Sequence, residues 1–396
     1  MSTLSRRELL SAGAAMAVAS GLPAASPQAT EKKSGELPAG SIPENVNMIF
    51  DGLGLSPLEQ ATRLQRVAGR DRFKADEYSL GGVVADLESA FAALLGKETA
   101  VFMPTGTLAN HLAVRALAGP AKAAGGRVLV PHTSHLYNDT GDALTVLTGL
   151  NMVPLGRGQA SFTLAEVEDE VERSAGGRVA TRAAALVIES PVRRRNGELF
   201  DPAELPRIAA YARSQGIGLH LDGARMLIAS AFTDIAPEVT AAPFDTVYVS
   251  LYKGLNAPSG AILAGPRSLL DGLFHARRMF GGGLPGAWPF AAAALEDLPG
   301  FVDRLKTAVA ASERVFGELA TRGIPVRRVP RGTNVAFIGI GSADPSAIKV
   351  SLASARVRIA PPPKGEKELR VVVNESWGRR DPAELARLMA HALGRA

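Results

Sequence analysis

Short apolar runs separated by longer amphipathic stretches constrain this chain more than any other feature. The runs Thr99–Met103, Arg127–Pro131, Ala184–Glu189, Ile217–Asp222, Thr246–Ser250 and Ala261–Ala264 have the length and character of strands. Helical periodicity falls between them at Val84–Leu95, Leu108–Leu117, Leu164–Arg173 and Pro202–Gln215. Strands joined through helices of this length need crossover connections, so they predict an α/β domain whose sheet is mostly parallel and covered on both faces. Ligands of such sheets sit beyond the carboxyl ends of the strands, and chemistry is expected just after each run. From about Pro299 the pattern changes to a long helix ending at Thr321, two strands at Asn334–Ile340 and Leu369–Val373, and a terminal helix at Pro382–Leu393. That portion reads as a smaller α+β domain. With 396 residues, 46% of them hydrophobic, the chain can bury one large core and a second, smaller one.

Charge and composition remove several function classes. The 44 basic residues are offset by 39 acidic ones and interspersed with them, leaving a net +5. The one dense run, Arg193-Arg194-Arg195, is too short for a nucleic-acid patch, and no nucleic-acid motif accompanies it, so no such partner is expected. The chain has no cysteine, which excludes disulfides, thiolate metal ligands and cysteine nucleophiles. No metal site is expected. At the N-terminus, Ser5-Arg6-Arg7-Glu8-Leu9-Leu10 precedes an uncharged, alanine-rich stretch to about Ala25 and then a polar segment. This layout resembles a twin-arginine export signal, with an ordinary amphipathic or disordered tail as the alternative. The expected organisation is a signal peptide over 1–29, a linker and N-terminal arm over 30–75, a large domain over 76–299 and a small domain over 300–396. Export to the periplasm follows from the signal, with a cytoplasmic location as the alternative and no retained membrane span.

Candidate chemistry appears where the sheet predicts it. In Phe102-Met-Pro-Thr-Gly-Thr-Leu-Ala-Asn110 a strand runs through a tight turn into a helix. The backbone N–H groups there, with the hydroxyls of Thr105 and Thr107, can hold a phosphate, although Thr-Gly-Thr also serves as a plain helix cap. His220-Leu-Asp-Gly-Ala-Arg225 places Asp222 at a strand end, where a carboxylate can pair with a protonated pyridine nitrogen. Val247-Tyr-Val-Ser-Leu-Tyr-Lys-Gly254 leads a strand into Lys253, an amine able to form an imine once its pKa is lowered.

In this order, each at a predicted strand end, these segments resemble the threonine aldolase and aromatic amino-acid β-eliminating lyase family of pyridoxal-phosphate enzymes. The resemblance runs through GKETAVFMPTGTLANHLAVRAL, PHTSHLY, the IES strand end, GIGLHLDGAR, SLYKGLNAPSGAILAG and RRMFGGG. It implies the aspartate-aminotransferase fold (fold type I), with a seven-stranded type of sheet, and pyridoxal 5'-phosphate as cofactor. It further implies that Lys253 carries the cofactor as an imine, that Asp222 pairs with its ring nitrogen, and that Gly106 and Thr107 hold its phosphate. His135 would stack on the ring and serve in catalysis. Arg225 would touch the cofactor site and bind the substrate carboxylate together with Arg370. A small amino acid is the implied partner, and a homodimer or homotetramer the implied assembly.

The substrate side departs from the family. The serine near the start of the mature family chain is replaced within Phe50-Asp51-Gly52, so its contact with the substrate carboxylate is expected to be lost. The histidine that approaches the substrate hydroxyl gives way to Arg195, after a short insertion in Glu189-Ser-Pro-Val-Arg-Arg-Arg-Asn-Gly197. Tyr252 stands where a serine precedes the lysine, and Pro285 where the family has an arginine. An arginine is too basic to remove a proton from a hydroxyl. His135 or a water would then act as base in cleaving a β-hydroxy-α-amino acid to glycine and an aldehyde. The alternatives are β-elimination from a substituted amino acid, or a pyridoxal-phosphate fold that has lost turnover.

Overall fold

The structure, a computed structural model, describes residues 45–119 and 125–395; the expected signal over 1–29 lies outside them. A seven-stranded sheet is built from β2 (Thr99–Met103), β3 (Arg127–Pro131), β4 (Asn151–Leu155), β5 (Ala183–Glu189), β6 (Gly218–Asp222), β7 (Thr246–Ser250) and β8 (Ala261–Gly265), in the order β2-β8-β7-β6-β5-β3-β4. The β4-β3-β5-β6-β7 pairings are parallel, and β8 alone runs against its neighbours β7 and β2. Every residue of β5 and β7 is buried, as expected for strands covered on both faces. β4 was not expected from the sequence. Pro154 weakens its strand signal, and the strand sits at the sheet edge, where a proline costs no ladder bond on its outer side.

Helices cover the sheet. They include α1 (Pro57–Ala68), α2 (Gly82–Leu94), α3 (Gly106–Ala118), α4 (Leu164–Ala175), α5 (Glu204–Ser214) and α6 (Met226–Thr233). Starts are set locally. Ser56 and Thr163 each accept from the N–H three residues on, while Glu59 and Glu166 reach back to the cap, two reciprocal pairings. Thus the described part of the stretch expected as linker and arm holds a full helix, α1.

β1 (Val46–Asn47) pairs in parallel with β11 (Val357–Arg358), and Val372 donates from its N–H to the Met48 carbonyl at 3.0 Å. The beginning of the described chain is therefore fastened to its C-terminal part. There β9 (Val326–Arg328), β10 (Val335–Gly339) and β12 (Glu368–Val372) form an antiparallel sheet in the order β12-β10-β9. The long helix α7 (Phe301–Thr321) and the terminal α8 (Pro382–Ala392) pack in the same region, around a fully buried Trp377 whose ring meets Phe316 edge-on at 5.5 Å. Among the described residues no helix is long and apolar enough to cross a membrane.

Candidate active site

The carboxyl ends of β2, β5, β6 and β7 surround a cavity of about 150 Å³. His135, Arg193, Arg225, Tyr252 and Lys253 line this cavity and also the larger cleft of about 1080 Å³ beside it. All seven residues to which the resemblance gives a site role line one or both spaces: Gly106, Thr107, His135, Asp222, Arg225, Lys253 and Arg370.

Asp222 ends β6 and is buried. Its Oδ2 accepts from Asn110 Nδ2 at 2.7 Å; Asn110 Oδ1 lies 2.8 Å from His220 Nε2, and His220 Nδ1 lies 2.8 Å from Thr246 Oγ1. Burial lowers the His220 pKa to about 4, so the ring is neutral. Because the Asn110 amide donates to Asp222, its oxygen must accept. The proton of His220 therefore sits on Nε2, and Nδ1 accepts from Thr246. This chain of side chains fixes the carboxylate, and sequence reading did not find it.

Lys253 follows β7, with Nζ 5.9 Å from the Tyr248 ring centre and 5.4 Å from that of Tyr252. Burial first, then the charge of Arg225, lowers its pKa to about 8, against the opposing pull of Asp222, Asp51 and Glu189. Roughly one molecule in ten then presents a free amine at pH 7.

Glu189, part of a strand end in the sequence, organises the site. It is buried and in register with Asp222 across β5 and β6. Its Oε2 accepts from the His135 N–H at 2.5 Å and its Oε1 from the Arg193 N–H at 2.9 Å. A carboxylate closing an all-apolar strand was the available signal. Burial, then the charge of Asp222, raises its pKa to about 7. The folded protein thus binds this proton more tightly than the unfolded chain does. Stability without cofactor is expected to fall as pH rises from 4.5 to about 7, by at most about 1.4 kcal/mol per pH unit from this group. Urea midpoints for wild type and Glu189→Gln across that window check this, and the variant should lose the corresponding slope.

The arginines differ from expectation in one respect. Arg225 does line the cleft, but its Nε donates to Asp51 Oδ2 at 2.9 Å, and Asp51 Oδ1 accepts from Asn334 Nδ2 at 3.0 Å. The fork expected to be free for a substrate is thus partly engaged. Asp51, in the stretch that replaces the family's serine, is a cleft residue brought in by the pairing of β1 with β11. Arg370 has only a long 3.4 Å contact from Nε to Asn196 Oδ1. Its pKa is lowered by desolvation of the head group; Asp51 opposes this, while Arg225 and Arg193 lower it further. Arg195, expected at the position of the family's histidine, pairs instead with Glu198 at 3.2 Å, and Arg193 and Arg194 are the insertion residues that line the cleft.

The helix start after β2 is partly a cap and partly a cradle. Thr105 Oγ1 accepts from the Leu108 N–H at 3.2 Å, the plain capping role left open by the sequence. Gly106 faces the cavity so closely packed that an added Cβ would fall 1.9 Å from Tyr248 Oη and 2.3 Å from Cζ.

The β-eliminating lyase family model matches residues 66–339. The chain is 27% identical over 270 residues to a low-specificity L-threonine aldolase of Saccharomyces cerevisiae, covering 66% of this chain and 67% of that one. It is 34% identical over 229 residues to the aldolase vrtJ of Penicillium aethiopicum, covering 57% of this chain and 55% of the relative. The crystal structure of a putative L-allo-threonine aldolase from Listeria monocytogenes superposes with a TM-score of 0.71 at 27% identity, over 88% of this chain and 95% of the other. The chain spans about half to two-thirds of the length of these two curated relatives.

Proposed function

The chain belongs to the β-eliminating lyase family and has the fold of type I pyridoxal-phosphate enzymes, and from that premise we propose that it cleaves a β-hydroxy-α-amino acid to glycine and an aldehyde. The observation that carries this reading is the placement of Lys253 and Asp222 in one small cavity at the start of α3. Similarity to the yeast threonine aldolase supports it.

The residues fit pyridoxal phosphate. Lys253 supplies an amine whose pKa of about 8 leaves part of it unprotonated, Asp222 a fixed buried carboxylate for a ring nitrogen, and Gly106 and Thr107 a helix start suited to a phosphate. When bound, the cofactor supplies an electron sink for the carbanion left at Cα as the Cα–Cβ bond breaks. Arg370, which has no carboxylate partner among the described residues, takes the substrate carboxylate, and Arg225 completes that wall from its anchor on Asp51. Holding the carboxylate fixes rotation about the bond to the amine, which decides which bond is broken. Burial lowers the pKa of His135, so its ring is neutral and able to accept the hydroxyl proton, while Glu189 pins its backbone.

The test is the absorption spectrum of the protein with pyridoxal phosphate, before and after adding threonine or phenylserine, with glycine and keto acid assayed together. Glycine release supports the reading. Keto acid with ammonia moves the assignment to β-elimination, and neither product from any amino acid removes turnover altogether. Gly106→Ala is expected to weaken cofactor affinity at least about tenfold, because the new methyl displaces Tyr248 or the first turn of α3. Equilibrium titration with the cofactor measures this. Tyr248→Phe should not rescue it, since the ring carbon clashes as well as the hydroxyl.

Two further readings accompany this function. Arg6-Arg7 supports export of the folded, cofactor-loaded protein to the periplasm, and replacing both with lysine should hold it in the cytoplasm. The family resemblance supports a homodimer or homotetramer, to be measured by light scattering.

A further inference from the structure

The large cleft carries more positive charge than a cofactor and an α-carboxylate require. Among the described residues its walls present Arg193, Arg194, Arg225, Arg370 and Lys253 against a single carboxylate, Asp51. The charge of Arg225 is offset by Asp51 through its Nε, and Arg370 is assigned to the α-carboxylate. That leaves the pair contributed by the insertion after β5. Both arginines lean on one residue behind the wall, Asp139. Arg193 Nη2 meets its Oδ2 at 2.5 Å; Arg194 donates from Nε to the same oxygen at 3.2 Å and from Nη2 to Oδ1 at 2.6 Å. The hydrogen bonds from Arg194 first, then those from Arg193, hold the Asp139 pKa down at about 2, so the cluster keeps one net positive charge through the working pH range.

Both side chains remain accessible, at 46% and 44% exposure, and Asp139 occupies only some of their N–H groups. Arg193 also lines the inner cavity beside Lys253, so a group projecting from a substrate held at Lys253 meets this cluster on its way out. Nothing in bond cleavage itself calls for a cation there.

We propose that the Arg193–Arg194 pair recognises a second carboxylate, so that the substrate is a β-hydroxy-α-amino acid with an acidic side chain. The inference rests on the cleavage reading for the identity of the reaction, but its charge preference can be measured apart from turnover. The surplus of guanidinium over carboxylate is what selects the ligand. Arg194 can still offer its Nη1–Nη2 edge to a carboxylate without breaking its Nε and Nη2 bonds to Asp139.

The experiment uses the protein loaded with pyridoxal phosphate, titrated spectroscopically with two matched pairs. These are 3-hydroxyaspartate against threonine, and 4-carboxyphenylserine against phenylserine, with glycine assayed in parallel. Cleavage would split 3-hydroxyaspartate into glycine and glyoxylate. In at least one pair the acidic member is expected to bind about tenfold more tightly, with the ratio shrinking as salt is added. Arg194→Gln should bring that ratio close to unity, and Arg194→Lys should restore part of it. Asp139→Asn, which frees a second positive charge, should raise the ratio. A merely structural role for the cluster would not reverse direction between those two variants. Equal binding of acidic and neutral members, or a ratio that falls in Asp139→Asn, overturns the proposal. If no substrate yields glycine, the cleavage reading falls while the binding ratios still decide the charge preference.

Discussion

Replacing Lys253 with alanine is expected to reduce turnover by at least about 10³-fold and to remove the yellow, covalently held cofactor, while leaving the fold intact. The amine is the only lysine lining either space of the site, so no neighbour can take its place among the described residues. The same substitution should stabilise the cofactor-free protein at pH 7. The folded-state pKa of about 8 lies below the usual 10.5, which means that burial penalises the charged amine. That penalty is fully present below about pH 8 and fades as pH rises toward 10.5, where both states lose the proton. The stability gap between variant and wild type should therefore narrow over that range. Denaturant midpoints at pH 7 and pH 10, beside spectra with pyridoxal phosphate, measure both claims. A variant that is less stable at pH 7, or that still turns over at a tenth of the wild-type rate, would contradict the assignment of Lys253.

The parts of this site that the sequence reveals are those fixed by local chain geometry. Asp222, Lys253 and Gly106 sit at or just beyond the ends of apolar runs, and a parallel sheet must bring such ends together. The strands themselves are legible because most are buried on both faces and uninterrupted. β4 escapes notice because Pro154 breaks the pattern at an edge where the fold tolerates it. Legibility fails where placement depends on contacts distant in the chain. Asp51 reaches Arg225 only because β1, two residues long, pairs with β11 more than three hundred positions away. No periodicity announces a pairing so short.

The insertion after β5 shows a second kind of limit. Three consecutive arginines form one turn of 3-10 helix, and a rotation of one residue decides which of them faces the cleft. The family pattern sets Arg195 at the position of its histidine; in the structure that side chain pairs with Glu198, while Asp139 pairs with Arg193 and Arg194, which line the cleft. Glu189 is a milder case. Its position at a strand end was visible, but its service to the His135 and Arg193 backbones depends on loops that the strand pattern does not describe.

Asp222→Asn is expected to lower kcat/KM by about 10³-fold with little loss of structure. Asparagine keeps the shape and can still accept from Asn110 through its oxygen, so the chain from Thr246 through His220 can survive. What disappears is the negative charge that would hold a proton on the cofactor's ring nitrogen. Two neighbours should report that loss even without cofactor. The charge of Asp222 helps to raise the Glu189 pKa, so that pKa should fall from about 7 back toward 4.5. It also raises the Lys253 pKa, which should therefore drop below about 8. In stability measurements the fall between pH 4.5 and 7 attributable to Glu189 should become shallower, and the gain attributable to Lys253 should begin at lower pH. A residue that served only as packing would move neither titration. If activity stays within tenfold of wild type while both titrations shift as described, Asp222 tunes the site without sustaining the chemistry, and the ring nitrogen must find its charge partner elsewhere.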